Sequence, residues 1–120
     1  MKRVLALLSL VCALVLAGAC NSDVNLSVQA DAELTYANGD VIRIDPVLYE
    51  GFHHNHLTDY DLEDIFIDLT QHVSPDFSAA VLHLSLYDEI SGAFLREETY
   101  GVVWNSHTEH YDFADMNVIY

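Results

Sequence analysis

Histidine is the residue type whose clustering points most clearly to chemistry. Three histidines crowd one polar segment and two more lie together near the other end of the chain: His53, His54, His56, His107 and His110. Imidazole nitrogens are good ligands for zinc and copper(II), and an acidic chain attracts cations. The order His-Thr-Glu-His at 107–110 differs from the H-E-x-x-H zinc motif. We expect either a divalent-metal site, if the two segments meet, or loop histidines exposed to solvent, which would also respond to pH.

An acidic run follows the first histidine group and is a second candidate for cation binding. It comprises Asp59, Asp61, Glu63, Asp64 and Asp68. Calcium takes several oxygen ligands, and the Asp-x-Asp-x-Glu spacing supplies three carboxylates. The glycine and the distant glutamate of an EF-hand loop are missing, so a solvated charged surface is the simpler interpretation.

Motifs for nucleophilic catalysis are absent from the sequence. It has no G-x-S-x-G segment, no glycine-rich phosphate loop and, after Cys20, no lysine for a Schiff base. Carboxylate pairs occur in any acidic chain and leave a hydrolase as an alternative. We expect a protein that is not an enzyme. Four aromatic residues are either a recognition patch or packing residues of a sheet: Tyr87, Tyr100, Trp104 and Tyr111.

Alternating hydropathy dominates the chain after residue 23 and predicts β-strands. From residue 24 to residue 36 apolar and polar residues alternate without a break. Asn38-Gly39 then indicates a turn, and residues 41–49 resume as a strand. A two-residue loop would pair Leu34 with Arg43. We favour a three-residue loop at 38–40, which pairs Leu34 with Ile44 and keeps apolar residues opposite each other.

Further strands are predicted along the rest of the chain. Pro46 cannot donate a hydrogen bond within a sheet, so it marks an edge strand or a bulge. Residues 80–87 alternate again, residues 88–92 form a turn, and residues 93–104 return as the second strand of a hairpin. Apolar residues between Tyr111 and Tyr120 indicate one or two last strands.

Residues 62–73 fit both a strand and a helix. The helical alternative places five apolar residues on one face, namely Leu62, Ile65, Phe66, Leu69 and Val73. Thr58 and Asp61 also have the spacing of a capping box. We nevertheless favour a strand from the β-branched and aromatic content, with residues 50–64 as a long loop between two sheets.

The fold class that follows is all-β, as a small antiparallel β-sandwich. The segment Leu84-Ser85-Leu86-Tyr87-Asp88, followed by Ser91-Gly92, resembles the signature of FxLYD-type domains, which are immunoglobulin-like modules of bacterial surface proteins. This resemblance implies an immunoglobulin-like sandwich with a binding or structural role and no catalysis.

The first twenty residues have the layout of a secretory signal peptide. Two cations precede an apolar run from Val4 to Leu16, and small residues then lead to a cysteine in Ala17-Gly18-Ala19-Cys20. The last four residues resemble the lipobox of bacterial lipoproteins, which implies cleavage before Cys20 and lipidation of its thiol. An ordinary secretory signal would be cut at the same bond. An uncleaved membrane anchor would need about 20 apolar residues.

Lipidation defines the expected organisation of the chain. Residues 1–19 are the signal peptide and are removed, residues 20–23 are the lipidated cysteine and a short tether, and residues 24–120 form a single domain. Cys12 leaves with the signal, so the mature chain keeps one cysteine and forms no intrachain disulfide. Asn21 stands where an aspartate would retain a Gram-negative lipoprotein in the inner membrane. In a Gram-negative source we therefore expect the outer membrane, facing the periplasm or the cell surface.

The charge of the mature chain limits the classes of molecule that it is expected to bind. Two arginines face nineteen acidic residues, a formal balance of −17. Such a surface repels nucleic acid and anionic headgroups. The expected partners are membrane lipid, through acylated Cys20, and an envelope protein. The sequence thus predicts a lipid-anchored, non-catalytic binding or structural module of the cell envelope. The alternative is a periplasmic lipoprotein that binds zinc or copper through its loop histidines.

Overall fold

The computed structural model describes residues 25–116, which form five β-strands and one α-helix. In chain order the elements are β1 (Leu26–Tyr36), β2 (Val41–Phe52), α1 (Asp59–Thr70), β3 (Phe77–Asp88), β4 (Phe94–Asn105) and β5 (His110–Asp115). The strands make one antiparallel sheet in the order β2-β1-β3-β4-β5. The predicted predominance of antiparallel β-structure is confirmed. The expected signal peptide and Cys20 lie outside the described residues.

The two central strands, β1 and β3, carry most of the core on one face of the sheet. Val28 lies opposite Leu86, and Ala30 lies opposite Leu84. Every second residue along these two strands is buried, in the series Leu26, Val28, Ala30, Ala32, Leu34 and the series Ala80, Leu82, Leu84, Leu86. The alternation in the sequence therefore predicted both strands and their inward faces, because successive strand side chains point to opposite sides of a sheet.

The β1–β2 hairpin has the predicted loop length but not the predicted register. Its loop is residues 37–39, closed by a hydrogen bond from Tyr36 N–H to the Asp40 carbonyl (2.8 Å). Leu34 consequently pairs with Ile42 and not with Ile44. Gly39 has a φ of +94° and takes the last loop position, where a three-residue hairpin loop needs the left-handed conformation. Because Gly39 occupies this last position, the loop is residues 37–39 and not the predicted residues 38–40.

Pro46 lies where a strand tolerates proline. β2 is an edge strand, and the β1–β2 register shifts between the pairs Ala30–Val47 and Ala32–Ile44, with Pro46 at the irregularity. The prediction of an edge strand or a bulge at Pro46 is confirmed, because Pro46 lies both in an edge strand and at a register irregularity.

The favoured strand over residues 65–73 is wrong, because residues 59–70 form helix α1. The N-terminus of α1 is a capping box, in which Thr58 Oγ1 accepts from Asp61 N–H (3.2 Å) and an Asp61 carboxylate oxygen accepts from Thr58 N–H (3.0 Å). Four apolar residues of α1 are buried, namely Leu62, Ile65, Phe66 and Leu69. Capping and one continuous apolar face thus outweighed the β-propensity of the individual residues.

Helix α1 covers the apolar face of the sheet, where the sequence predicted a second sheet. Its residues contact β5, β1 and β2, so the helix crosses the sheet from one edge to the other. Within residues 25–116 all strands belong to one sheet, and the core lies between that sheet and α1. Over the same residues no helix has the length and hydropathy required to cross a membrane.

Candidate ligand-binding cleft

The sheet has two ends, which the chain topology defines. At the entry end the chain enters β1 at Asn25, and the β3–β4 turn (residues 89–93) and the loop of residues 53–58 lie beside it. At the far end lie the β1–β2 turn, the segment 74–76 before β3, and the β4–β5 turn (residues 106–109). Each predicted site residue belongs to one of these ends or to the helix between them.

The two histidine groups do not meet, because they lie at opposite ends of the sheet. His53 Nδ1 is 3.1 Å from the Asn25 side-chain oxygen, and Asn55 accepts from Arg96 through its carbonyl (2.8 Å), so this loop belongs to the entry end. His110 pairs with Asn105 at the far end. Asn105 is nine residues after Arg96 along β4, and this length of strand spans roughly 30 Å. One ion therefore cannot take ligands from both groups.

Metal binding by either histidine group separately stays a prediction. The rings of His54 and His56 lie 6.4 Å apart, and His56 Nδ1 is 2.9 Å from the Asn55 side-chain oxygen. Among residues 25–116 no group of three or more His, Cys, Asp or Glu side chains is arranged to hold a metal ion.

His110 instead forms a contact between the sheet and the helix. Its Nδ1 is 2.8 Å from one carboxylate oxygen of Glu63 in α1, and the other oxygen accepts from Tyr111 N–H (2.9 Å). Burial acts to raise the pKa of Glu63, but the hydrogen bonds from Tyr111 and His110 outweigh it and leave that pKa below its ordinary value. Glu63 is thus an anionic clamp that ties α1 to β5.

Three members of the acidic run have structural partners. Asp61 caps the helix and Glu63 binds β5. Asp68 accepts a hydrogen bond from the Tyr49 hydroxyl of β2 (2.5 Å). Burial, with a further contribution from Asp68, raises the pKa of Tyr49. Three of the five carboxylates therefore anchor α1 at its start, at β5 and at β2.

A cleft of about 630 Å³ opens at the far end of the sheet, where β3 and β4 part. The β3–β4 ladder ends at the pair Ala80–Val102, while β4 stays paired with β5 as far as Asn105. On its other side β3 stays paired with β1 as far as Phe77, and Ser78 Oγ donates to the Thr35 carbonyl (3.0 Å). The volume lies within the range of pockets that hold small ligands.

Aromatic rings form much of the cleft wall. Its lining residues are Pro75, Phe77, Ser78, Val102, Val103, Trp104 and Tyr111. The ring of Phe77 is nearly parallel to that of Tyr111 (20°, centroids 6.4 Å apart), and Trp104 is edge-on to Tyr111 (70°, 5.0 Å). Trp104 is 52% exposed, so part of its ring is free for a ligand. Aromatic faces bind apolar groups, other rings and cations.

The chemistry of the cleft suits binding. Among its lining residues Tyr111 is the only one that titrates, and burial, followed by the negative charge of Glu63, raises the pKa of its phenol. That phenol therefore stays neutral at physiological pH. Phe66 of α1 supports the cleft from below, with its ring centroid 4.9 Å from that of Tyr111 and 5.8 Å from that of Phe77.

The sequence named two of the three aromatic residues that line the cleft. It named Trp104 and Tyr111, which meet here. It also named Tyr87, which packs on Phe94 at the entry end, and Tyr100, whose hydroxyl donates to Glu98 (2.7 Å). Phe77 and Pro75 were missed, because nothing in the local pattern shows that the β3–β4 ladder ends early. No protein-family model, curated protein or solved structure matches this chain.

Proposed function

We propose that this protein is a lipid-anchored, non-catalytic module of the cell envelope that binds a partner through the aromatic cleft. The observation that carries the proposal is the cysteine at position 20, directly after an apolar run and the small residues Ala17-Gly18-Ala19. Two or three acyl chains on that cysteine would hold the protein at the membrane, because each buried CH₂ adds about 0.8 kcal/mol.

The position of the domain supports this anchor. The first described strand begins at Leu26, six residues after Cys20, so the chain between them spans at most about 22 Å. In a Gram-negative envelope the protein would lie at the outer membrane. A second packed layer of strands, as in immunoglobulin-like modules, would have to come from outside residues 25–116, and it stays a prediction.

Palmitate labelling in cells tests the anchor. Alkyne palmitate should label the wild-type chain and the Cys12→Ala variant, because Cys12 lies within the cleaved signal. It should not label Cys20→Ala. An unlabelled wild-type chain, or a label that survives the loss of Cys20, refutes lipid attachment at this residue.

Site-specific photocrosslinking in cells tests the cleft. A photoreactive residue at Val103, which lines the cleft, should give a discrete adduct that disappears when Trp104→Ala is added. The control is a photoreactive residue at Ile67, which is exposed on α1 and does not line the cleft. Adducts of equal yield at both positions, or none at Val103, would remove the cleft from the proposal.

A further inference from the structure

The β3–β4 turn at the entry end exposes apolar side chains. Ile90 at its tip is 66% exposed and Phe94, where β4 begins, is 56% exposed. The two turns at the far end have none of Val, Ile, Leu or Phe in residues 37–40 and 106–109. An exposed, convex apolar tip gains nothing from the core of its own domain. It is suited to a partner that can receive it.

Hydrogen bonds hold Ile90 in this exposed position. Asp88 N–H donates to the Ala93 carbonyl (2.9 Å), and Gly92 N–H donates to the Asp88 carbonyl (2.7 Å). One carboxylate oxygen of Asp88 also accepts from Ile90 N–H (3.0 Å). The tip is thus presented on a fixed turn, so placing it in a partner costs little further ordering.

The neighbouring carboxylates are directed at the protein backbone. Glu89 accepts from Gly51 N–H through its side chain (3.1 Å), and Asp88 is engaged within the turn. Phe94 packs edge-on against Tyr87, with ring centroids 5.6 Å apart. Tyrosine beside an apolar ring is a combination suited to the boundary between water and lipid.

The turn is also tied to the part of the chain that leads to Cys20. Glu89 N–H donates to the Asn25 carbonyl (2.8 Å). Asn25 is five residues after Cys20 in the sequence, so the chain between them spans at most about 18 Å. A bilayer that holds acyl chains on Cys20 therefore lies within reach of the turn.

We propose that the β3–β4 turn rests on this bilayer, with Ile90 and Phe94 inserted at the boundary between headgroups and acyl chains. The inference rests on the lipid anchor of the proposed function and adds the orientation of the domain. The lipid surface is a zwitterionic one, because the mature chain has no lysine and Arg96 is engaged by Glu98 (2.7 Å). The cleft at the far end then faces away from the membrane.

Tryptophan quenching by brominated lipid tests the orientation. The chain has one tryptophan, Trp104, at the far end. The full chain and its Ile90→Trp, Trp104→Phe variant are expressed, purified from the membrane fraction, and reconstituted in phosphatidylcholine vesicles brominated near the headgroup. Brominated lipid should reduce the tryptophan fluorescence of the variant by about half or more, because interfacial side chains reach about 5–10 Å into this region. The native Trp104 should be quenched little.

Two results overturn the inference. If Trp104 and the tryptophan at position 90 are quenched equally, the turn does not face the bilayer. If the variant is not quenched at all, the same conclusion follows. Palmitate labelling of the same samples separates this failure from failure of the anchor: a labelled but unquenched variant refutes only the orientation, whereas an unlabelled chain refutes the anchor and the orientation together. Far-UV circular dichroism, which reports the backbone, should be the same for both proteins, because Ile90 and Trp104 are each more than half exposed.

Discussion

The entry end and the far end of the sheet both expose apolar side chains, but in opposite shapes. At the far end β3 and β4 part, and the rings of Phe77, Trp104 and Tyr111 line a concave cleft. At the entry end the same two strands are joined by a tight turn that presents Ile90 on a convex tip. A cleft can surround a ligand on several sides, whereas a tip can only enter a soft or concave partner. The pairing of β3 with β4 therefore determines whether exposed apolar side chains line a cleft, where the pairing ends, or form a tip, where a tight turn joins the strands.

The two ends are also stabilised differently. The far end rests on Phe66, a fully buried residue whose ring contacts three aromatic residues of the sheet. The turn at the entry end depends on backbone hydrogen bonds and on the Asp88 side chain. Substitutions should therefore affect the ends to different degrees and by different mechanisms.

Phe66→Ala should have the largest effect, because it removes the support of the far end. Truncating a buried phenylalanine costs about 3–5 kcal/mol of unfolding free energy. Urea denaturation at neutral pH measures the loss. The control is Ile67→Ala on the same helix, a residue that is 49% exposed and should cost less than about 1 kcal/mol. Similar losses in the two variants would contradict the packing of Phe66 beneath the cleft.

Gly92→Ala should disturb the entry end by a smaller amount. Gly92 has a φ of +77°, and alanine in the left-handed region costs about 1–2 kcal/mol. Gly101→Ala is the matched control, because Gly101 lies in β4 with ordinary backbone and an added Cβ would meet only Met116, at a normal 3.6 Å. In thermal unfolding experiments, the melting temperature of Gly92→Ala should be lower than that of the wild type, and that of Gly101→Ala should be unchanged. The reverse order would show that the turn does not require its left-handed residue.

Glu63→Gln should change the pH dependence of stability. The pKa of Glu63 is lowered in the folded protein, so its contribution is present above the unfolded pKa and is lost as pH falls through the lower folded value. Urea midpoints measured from neutral pH to about pH 2 should fall less steeply on acidification in the variant than in the wild type. Asp64→Asn, at an exposed position of the same helix, should leave the wild-type slope in place. An unchanged slope in Glu63→Gln would contradict the clamp between α1 and β5.

Ile90→Ser should have the smallest effect on stability, within about 0.5 kcal/mol, because an exposed side chain contributes little to the core. Leu86→Ala in the same strand pair is the contrast, since Leu86 is fully buried and its truncation costs about 2–5 kcal/mol. Chemical denaturation of both variants measures the difference. A loss above about 1 kcal/mol in Ile90→Ser would mean that the tip packs on its own domain and is not held free for a partner.

Local patterns in the sequence predicted the central strands but only part of what surrounds them. Because Leu82, Leu84 and Leu86 alternate with more polar residues, only a strand with these three side chains on its buried face keeps them from water. The pattern therefore predicts both the strand and its buried face. The hairpin register depended on where Gly39 sits in its loop, which the apolar pairing alone did not reveal. Over residues 62–73 both interpretations buried apolar residues, and the capping box of Thr58 and Asp61 was the local signal that should have decided for a helix.

The candidate cleft was beyond the reach of the sequence for a different reason. Pro75 and Phe77 come to lie near Trp104 and Tyr111 because the β3–β4 ladder ends at Ala80 and Val102. The sequence left open whether the two histidine groups meet, and the length of β4 separates them. Such placements depend on contacts between residues distant in the chain, and no local pattern encodes them.

The sequence alone determined the antiparallel strands, the apolar side of each central strand, the turns that join them and the acidic surface. These follow from side-chain periodicity, turn chemistry and charge, which act over a few residues. Only the tertiary structure decided that a helix covers the sheet, that the histidine groups lie apart, and that one end of the sheet is a cleft while the other is a tip. Those features arise from which strands pair and where their pairing stops, and that is settled only when the whole chain packs around a common core.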